Sequence, residues 1–267
     1  MANALRYASS SHLELSHNGK HEFAARYALS LFRANAVYSF IPKNACSTLR
    51  YSLALENGCI DSAAEINWIH KNNATFRADL RALASAAYSF VVLRCPFARL
   101  ASAYLDKIVG REVPVWSLYD LIDRKTSPDK ISFAAFVSIL EQPGLLRADI
   151  HWRPQVDFLV YKEYGDVFQL ERFGIAQQRL REACGFQVHD ARGLTQHGID
   201  GLERLSGGED FSQVPPVEIF NLRQAGRVPQ PAMLYNEQLV SRVAALYAED
   251  LDLYKRHFGA SELMFQV

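Results

Sequence analysis

The chain has 267 residues, 49% of them hydrophobic, and its 29 lysine and arginine residues balance 29 aspartate and glutamate residues. This length and composition can bury the core of one domain of larger than average size, and a second independent domain is not expected. The zero net charge excludes the overall basic field of a general nucleic-acid binder. No nucleic-acid partner is expected, and any recognition of anions must be local.

The N-terminal segment 1–25 is polar and is interpreted as an extension that precedes the fold. It contains no apolar run of signal-peptide length, and no other window has the length needed to span a bilayer. The four cysteines lack CxxC spacing and a nearby histidine pair, so no metal site is expected. A cytoplasmic protein without an integral membrane segment is therefore expected, and its oligomeric state stays open.

The first clear prediction is a strand over 36–41, followed by the loop Pro42-Lys43-Asn44-Ala45-Cys46 and a helix from Ser47. A strand, a tight loop and a helix N-terminus together direct backbone N–H groups and partial positive charge at an anion. Lys43 adds a mobile charge, and Ser47 and Thr48 add hydroxyl donors. The pattern is typical of a phosphate cradle.

Two observations argue against an ordinary nucleotide triphosphatase. The loop lacks both glycines of the Walker A motif GxxxxGK[ST], and Lys43 stands four residues before Ser47. No carboxylate pair near the loop stands out as a magnesium ligand. On these residues alone, an ordinary strand-to-helix connection remains the competing interpretation.

The next segment repeats the same order of elements. A helix is predicted over 74–86 and a strand over 87–93, and Pro96 begins a helix that ends at Gly110. Repeated strand, turn and helix units predict an α/β domain with a parallel sheet and right-handed crossovers. Ligands of such sheets bind at the carboxyl ends of the strands.

The rest of the chain is predicted to be mixed. Segment 111–150 has a helical pattern and is interpreted as an insertion that forms one wall of an acceptor cleft. A strand is predicted over 167–170, a helix over 174–183 and a long final helix over 236–257. Between these, 188–231 is rich in glycine, proline and polar residues and is predicted to be irregular.

Arg94 ends the second strand, and Ser102 lies two turns into the following helix. The guanidinium supplies planar, bidentate donors suited to phosphate, and the hydroxyl adds another donor. The two side chains can therefore face a common anion. For either residue alone, a salt bridge at Arg94 or close packing at Ser102 is the preferred explanation.

Three ordered motifs now resemble one family. The chain contains a PKxxxST loop after a strand, the segment LRxPxxRxxSxY from Leu93 to Tyr104, and HWRPQ from His151 to Gln155. Together they resemble the sulfotransferases that use 3′-phosphoadenosine 5′-phosphosulfate, most closely the carbohydrate, sulfotransferase family 2-like, branch. The segment from Leu246 to Gly259 also resembles the last helix of that family.

The resemblance implies a fold and an activity. The fold would be α/β and P-loop-like, with three layers, a central parallel β-sheet flanked by helices, and a mainly helical insertion, all in one sulfotransferase domain over 1–267. The enzyme would transfer a sulfuryl group from 3′-phosphoadenosine 5′-phosphosulfate to a hydroxyl of a carbohydrate or glycoconjugate by in-line displacement. Adenosine 3′,5′-bisphosphate would be the second product, and no metal would be needed.

The resemblance also implies which residues bind the donor. Arg94 and Ser102 would hold its 3′-phosphate, and Lys43 would also act in catalysis by stabilising charge on the leaving phosphate. The residues that would hold its 5′-phosphosulfate are Lys43, Ser47 and Thr48, with the loop amides of Asn44, Ala45 and Cys46.

The attacking hydroxyl needs a general base, for which histidine is the usual choice. His70 occupies the position of the catalytic histidine in several glycan sulfotransferases and is the first candidate. His151 is its competitor, and His197 is a distant third. His151, Trp152 and Arg153 are also interpreted as acceptor-binding residues, although the same segment could be a structural corner that shapes the acceptor cleft.

The chain departs from Golgi members of the branch because it shows no membrane anchor and no convincing disulfide pattern. A bacterial cytosolic enzyme fits better, with a surface polysaccharide precursor, a glycolipid or a small glycoside as its acceptor. A role in polysaccharide biosynthesis would follow. Two other readings stay open: a P-loop-like kinase that acts on a small molecule, and a non-catalytic nucleotide-binding adaptor.

Overall fold

The computed structural model describes residues 3–194 and 201–267. The contacts among these residues define two units. The first comprises 3–94 and 155–194, and the second comprises 95–154 and 201–267. The single sulfotransferase domain over 1–267 stays a prediction.

The first unit is built on a four-stranded sheet of order β1-β2-β3-β4. Its strands are Ala28–Leu31, Ala36–Ser39, Tyr88–Leu93 and Asp166–Gln169. β1 runs antiparallel to β2, whereas β2, β3 and β4 are mutually parallel. The mixed α/β character and the mainly parallel sheet are therefore confirmed, and the carboxyl ends of β2, β3 and β4 share one edge.

The α-helices of the described residues are, in chain order, α1 Gly19–Arg26, α2 Cys46–Glu56, α3 Trp68–Lys71, α4 Leu80–Ser85, α5 Pro96–Ala103, α6 Val113–Leu121, α7 Phe133–Leu140, α8 Phe173–Cys184, α9 Pro216–Gln224, α10 Glu237–Leu246 and α11 Ala248–Phe258. Most begin at a cap, a proline or a turn. None of these helices has both the length and the apolar character required to cross a bilayer.

Helices pack on both faces of the sheet of the first unit. Successive strand residues point to opposite sides of the sheet, so apolar strands present an apolar surface on each face. Tyr38 of β2 and Phe90 of β3 stack with their ring centroids 5.0 Å apart, in a cluster that also contains apolar residues of α2 and α8. Val37 points the other way, into a second cluster with residues of α1 and α4. The strands are therefore buried on both sides, as their nearly continuous apolar sequences require.

The second unit is mainly helical. It contains α5 to α7, α9 to α11 and a parallel pair of short strands, β5 Glu203–Leu205 and β6 Arg227–Pro229. α5 continues into a π-helical turn, Tyr104–Ile108, which leads the chain towards α6. The Tyr104 ring packs against Phe133 of α7 with ring centroids 5.2 Å apart, so aromatic contacts join the helices of this unit.

Several boundaries predicted from the sequence are wrong. Segment 1–25 was expected to be an extension, yet most of α1 lies in it, and β1 follows directly. The predicted helix 74–86 is instead a short 3₁₀ turn, Asn73–Phe76, followed by α4. Asp79 separates them because its carboxylate caps α4 by accepting a hydrogen bond from the Ala82 amide at 2.7 Å.

The C-terminal part also differs from expectation. Segment 188–231, predicted to be irregular, includes β5, α9 and β6. The single helix predicted over 236–257 is broken at Tyr247, whose ψ of 30° leaves the helical region between α10 and α11. The Tyr247 hydroxyl donates a hydrogen bond to the buried carbonyl of Trp152, so a tertiary contact accompanies the break.

Candidate functional site

The loop after β2 has a backbone conformation that is unusual for its residues. Lys43 has φ 73° and Ala45 has φ 55°, both in the left-handed region that L-residues other than glycine rarely adopt. Such a backbone persists only where the surrounding structure holds it. The loop is therefore shaped by its contacts, although it has none of the glycines of a Walker A loop.

Asn44, between these two residues, supplies such contacts. Its side chain is fully buried, and Nδ2 donates to the Val92 carbonyl at 2.8 Å and to Gln155 Oε1 at 2.7 Å. Its own amide donates to the Ile41 carbonyl at 3.3 Å within the turn. Asn44 therefore anchors the loop from inside, and its N–H group, predicted to bind the donor, is already engaged in this structure.

The N-terminus of α2 has the chemistry of an anion site. Ala45 occupies the N-cap and offers no capping side chain, and the first turn contains no acidic residue. Ser47 is partly exposed and Thr48 is buried, and both lie in that first turn. Uncapped N–H groups, hydroxyl donors and the positive end of the helix dipole suit a phosphate or sulfate group.

Arg94 joins this loop from the next strand. It follows β3 directly, and its Nη1 donates to the Lys43 carbonyl at 3.0 Å. Both residues are half-buried. The fold thus brings together the two predicted donor-binding cations, Lys43 and Arg94, at the edge where β2 and β3 end.

Ser102, the predicted partner of Arg94, belongs to the second unit. It lies on α5 and is 6% exposed. Its assignment to the 3′-phosphate rests on the resemblance and stays a prediction.

His70 lies in the first unit, on the exposed side of α3. Its neighbour Ile69 is buried, and the Ile69 carbonyl lies 3.4 Å from Nη1 of Arg50 on α2. The Arg50 guanidinium also sits over the Phe40 ring, 4.8 Å from its centroid. The turn that carries His70 is therefore attached to the helix that begins at the loop.

His151 lies in the second unit and is paired with a carboxylate. Its Nδ1 is 2.7 Å from Asp149 Oδ1, and its amide donates to the same oxygen at 2.8 Å. Burial raises the pKa of Asp149, but hydrogen bonds and positive charge from His151, with a smaller contribution from Lys107, lower it overall. The carboxylate orients the imidazole as in many catalytic acid–base pairs.

Trp152 fits the structural alternative better than an acceptor-binding role, whereas the acceptor-binding role of Arg153, whose side chain is partly exposed, stays a prediction. The Trp152 ring is 1% exposed, and its Nε1 donates to the Leu145 carbonyl at 3.0 Å. A ring so deeply buried within this unit presents no face for a sugar. The Arg153 carbonyl accepts a hydrogen bond from the buried Arg99 guanidinium at 2.8 Å. His197 lies outside the described residues.

Neither Gln155 nor the side chain of Asn44 was predicted from the sequence to have a role at this site. Both side chains are buried and bond to each other across 111 residues of sequence. The only signal was the presence of Gln155 in the HWRPQ motif. Among the described residues, no group of three or more His, Cys, Asp or Glu side chains is arranged to hold a metal ion.

Comparison with known proteins gave a match to a family model only. The family model described as "Sulfotransferase family" matches residues 33–256. Neither the curated proteins nor the solved structures contain a significant match to this chain.

Proposed function

This chain belongs to the sulfotransferase family, and from that premise we propose that it transfers a sulfuryl group from 3′-phosphoadenosine 5′-phosphosulfate to a hydroxyl of a carbohydrate or glycoconjugate. The observation that carries the proposal is the contact of the Arg94 guanidinium with the Lys43 carbonyl. It joins two cationic residues at an uncapped helix N-terminus. A nucleotide with phosphates on both sides of its ribose requires two neighbouring anion-binding sites, each with a cationic residue.

Each cationic residue has a specific role in the proposal. Lys43, Ser47 and Thr48, with the amides of Ala45 and Cys46, hold the 5′-phosphosulfate, and Arg94 and Ser102 hold the 3′-phosphate. The bound donor supplies the sulfuryl group and a phosphate leaving group. Lys43 stabilises the negative charge that develops on the leaving phosphate, a role in which one preorganised donor contributes about 10²- to 10³-fold in rate.

The base that takes the proton of the acceptor hydroxyl is His70 in this proposal. His70 is exposed and belongs to the same unit as the loop, on a turn attached to α2. His151 is the alternative because Asp149 orients its imidazole through Nδ1. The segment 111–150 would contribute the acceptor side, in a P-loop-like enzyme that requires no metal.

Binding assays separate this function from its rivals. Adenosine 3′,5′-bisphosphate should raise the melting temperature, because a ligand that binds only the folded state stabilises it. ATP with magnesium should give no comparable increase. The reverse result would favour a small-molecule kinase and contradict the proposal.

Transfer assays test catalysis directly. With the labelled sulfate donor and a panel of glycans and glycosides, Lys43→Ala should lower kcat/KM by about 10²-fold or more. Lys20→Ala, on the exposed surface of α1, should leave it unchanged. Binding of the bisphosphate without transfer to any acceptor would instead support the adaptor reading.

A further inference from the structure

A buried pair of amide side chains links the loop to the end of β3. Asn44 is 0% exposed and Gln155 is 1% exposed. Asn44 Nδ2 donates to Gln155 Oε1 at 2.7 Å. The pair is within the first unit, where water has no access to either side chain. Hydrogen bonds lost at such a site would leave unsatisfied buried polar groups.

Gln155 also holds the backbone of Arg94 from both sides. Its Oε1 accepts a hydrogen bond from the Arg94 amide at 3.0 Å, and its Nε2 donates to the Arg94 carbonyl at 2.9 Å. One side chain thus fixes both the N–H group and the carbonyl group of Arg94, the residue that follows β3. Few other side chains have a carbonyl acceptor and an N–H donor on the same carbon atom, as the side-chain amide does.

The Arg94 side chain completes a ring of contacts. Its Nη1 donates to the Lys43 carbonyl, next in sequence to Asn44. The ring therefore runs from Lys43 through Asn44 and Gln155 to Arg94 and back to Lys43. It spans the two residues to which the proposed function assigns opposite phosphates of the donor.

We propose that Gln155 is a positioning residue, which holds Lys43 and Arg94 at a fixed separation so that both phosphates of the nucleotide are bound together. This inference rests on the proposed function. Gln155 contacts neither phosphate in this role and acts through Asn44 and Arg94. Because the loop carries left-handed residues that need support, loss of the ring lets it relax away from Arg94.

The test compares two nucleotides by isothermal titration calorimetry. Wild type should bind adenosine 3′,5′-bisphosphate more tightly than adenosine 5′-monophosphate, because only the former reaches Arg94. Gln155→Met keeps the volume but removes the hydrogen bonds, and should weaken bisphosphate binding roughly tenfold or more, since small displacements of positioned groups have large effects. The monophosphate should lose less, so the preference for the bisphosphate should shrink.

A second variant controls for lost stability. Tyr161→Phe removes a buried hydrogen bond to the Leu83 carbonyl, 2.8 Å long, within the same unit and outside the ring. It should lower the melting temperature and leave the nucleotide preference unchanged. If Gln155→Met lowers the melting temperature but keeps the wild-type preference, Gln155 is only structural and the inference is wrong.

Gln155→Glu serves if the methionine variant does not fold. It retains acceptors for Asn44 and for the Arg94 amide, but it places an oxygen opposite the Arg94 carbonyl. The preference for the bisphosphate should again fall, by a smaller factor, and an unchanged preference would overturn the inference. If wild type itself binds no bisphosphate, the proposed function fails, and this inference fails with it.

Discussion

At the scale of single residues, the loop proposed to bind phosphate has a tight left-handed backbone built without glycine. Lys43 and Ala45 adopt left-handed conformations that glycine would adopt without strain. Asn44 compensates by bonding to Val92 and Gln155 inside the protein. The lysine side chain is thereby presented from a fixed backbone instead of a flexible one.

Ala45→Gly tests this strain. Glycine at φ 55° removes the steric conflict of the Cβ atom, so the free energy of unfolding should rise by up to about 1 kcal/mol. Urea denaturation followed by circular dichroism gives the value. Ala183→Gly, at an exposed position of α8, should instead lower the stability by about 0.5–1 kcal/mol. Equal losses in both variants would show that position 45 is not strained.

His70→Ala tests the assignment of the base. The variant should bind adenosine 3′,5′-bisphosphate as wild type does but lose about 10²-fold or more in kcat, because proton transfer to a positioned base is lost. His151→Ala is the matched comparison. A large loss of kcat in His151→Ala with full activity in His70→Ala would transfer the role to the pair of His151 and Asp149.

The sequence predicted part of this site. The position of the loop, Lys43 and Arg94 could be inferred because strand ends and turn residues are local signals. The Asn44–Gln155 pair could not, because it joins residues 111 positions apart through side-chain hydrogen bonds. Such bonds depend on how distant segments pack against each other, and the local spacing of residues in the sequence carries no information about that packing.

At the scale of elements, caps decide where the short helices begin. Asp79→Ala removes the carboxylate that accepts from the Ala82 amide at the start of α4. The free energy of unfolding should fall by about 1 kcal/mol, as measured by urea denaturation. Asp252→Ala, at an exposed position inside α11, should change it by less than about 0.5 kcal/mol. Similar losses at both positions would argue against a capping role.

The elements found from the sequence are those with a long, uniform signal. β3 is a continuous apolar run, and α8 has clear apolar periodicity. β1 was missed because it pairs antiparallel at the sheet edge and precedes the repeated strand, turn and helix units on which the prediction depended. The break at Tyr247 was missed because a tertiary hydrogen bond, not helix propensity, accompanies it.

At the scale of the whole molecule, two histidines with lowered pKa values make stability depend on pH. The pKa of His21 is lowered mainly by burial and to a smaller extent by the positive charge of Arg77. The pKa of His257 is lowered mainly by partial burial and to a smaller extent by the positive charge of Arg256. A histidine whose pKa is lower in the folded state than in the unfolded state stabilises the protein at pH values above the unfolded-state pKa of about 6.5. This contribution is lost as the pH falls through the folded-state pKa of the histidine.

The melting temperature should therefore fall as the pH decreases from about 7.5 to 5.5. Differential scanning calorimetry of wild type and of the double variant His21→Gln/His257→Gln checks the cause. The double variant should show a shallower decrease over this range. Parallel curves for the two proteins would assign the pH dependence to other groups.

The contact between Gln155 and Arg94 has a consequence for how this family can diverge. The chain leaves the first unit after Arg94 and re-enters it at Gln155, and these two residues are hydrogen-bonded to each other. A segment whose ends meet at one point can change in length at little entropic cost and without displacing the flanking strands. We expect natural changes in length among relatives to be concentrated in residues 104–154, after α5, while the edge where β2 and β3 end is inherited unchanged.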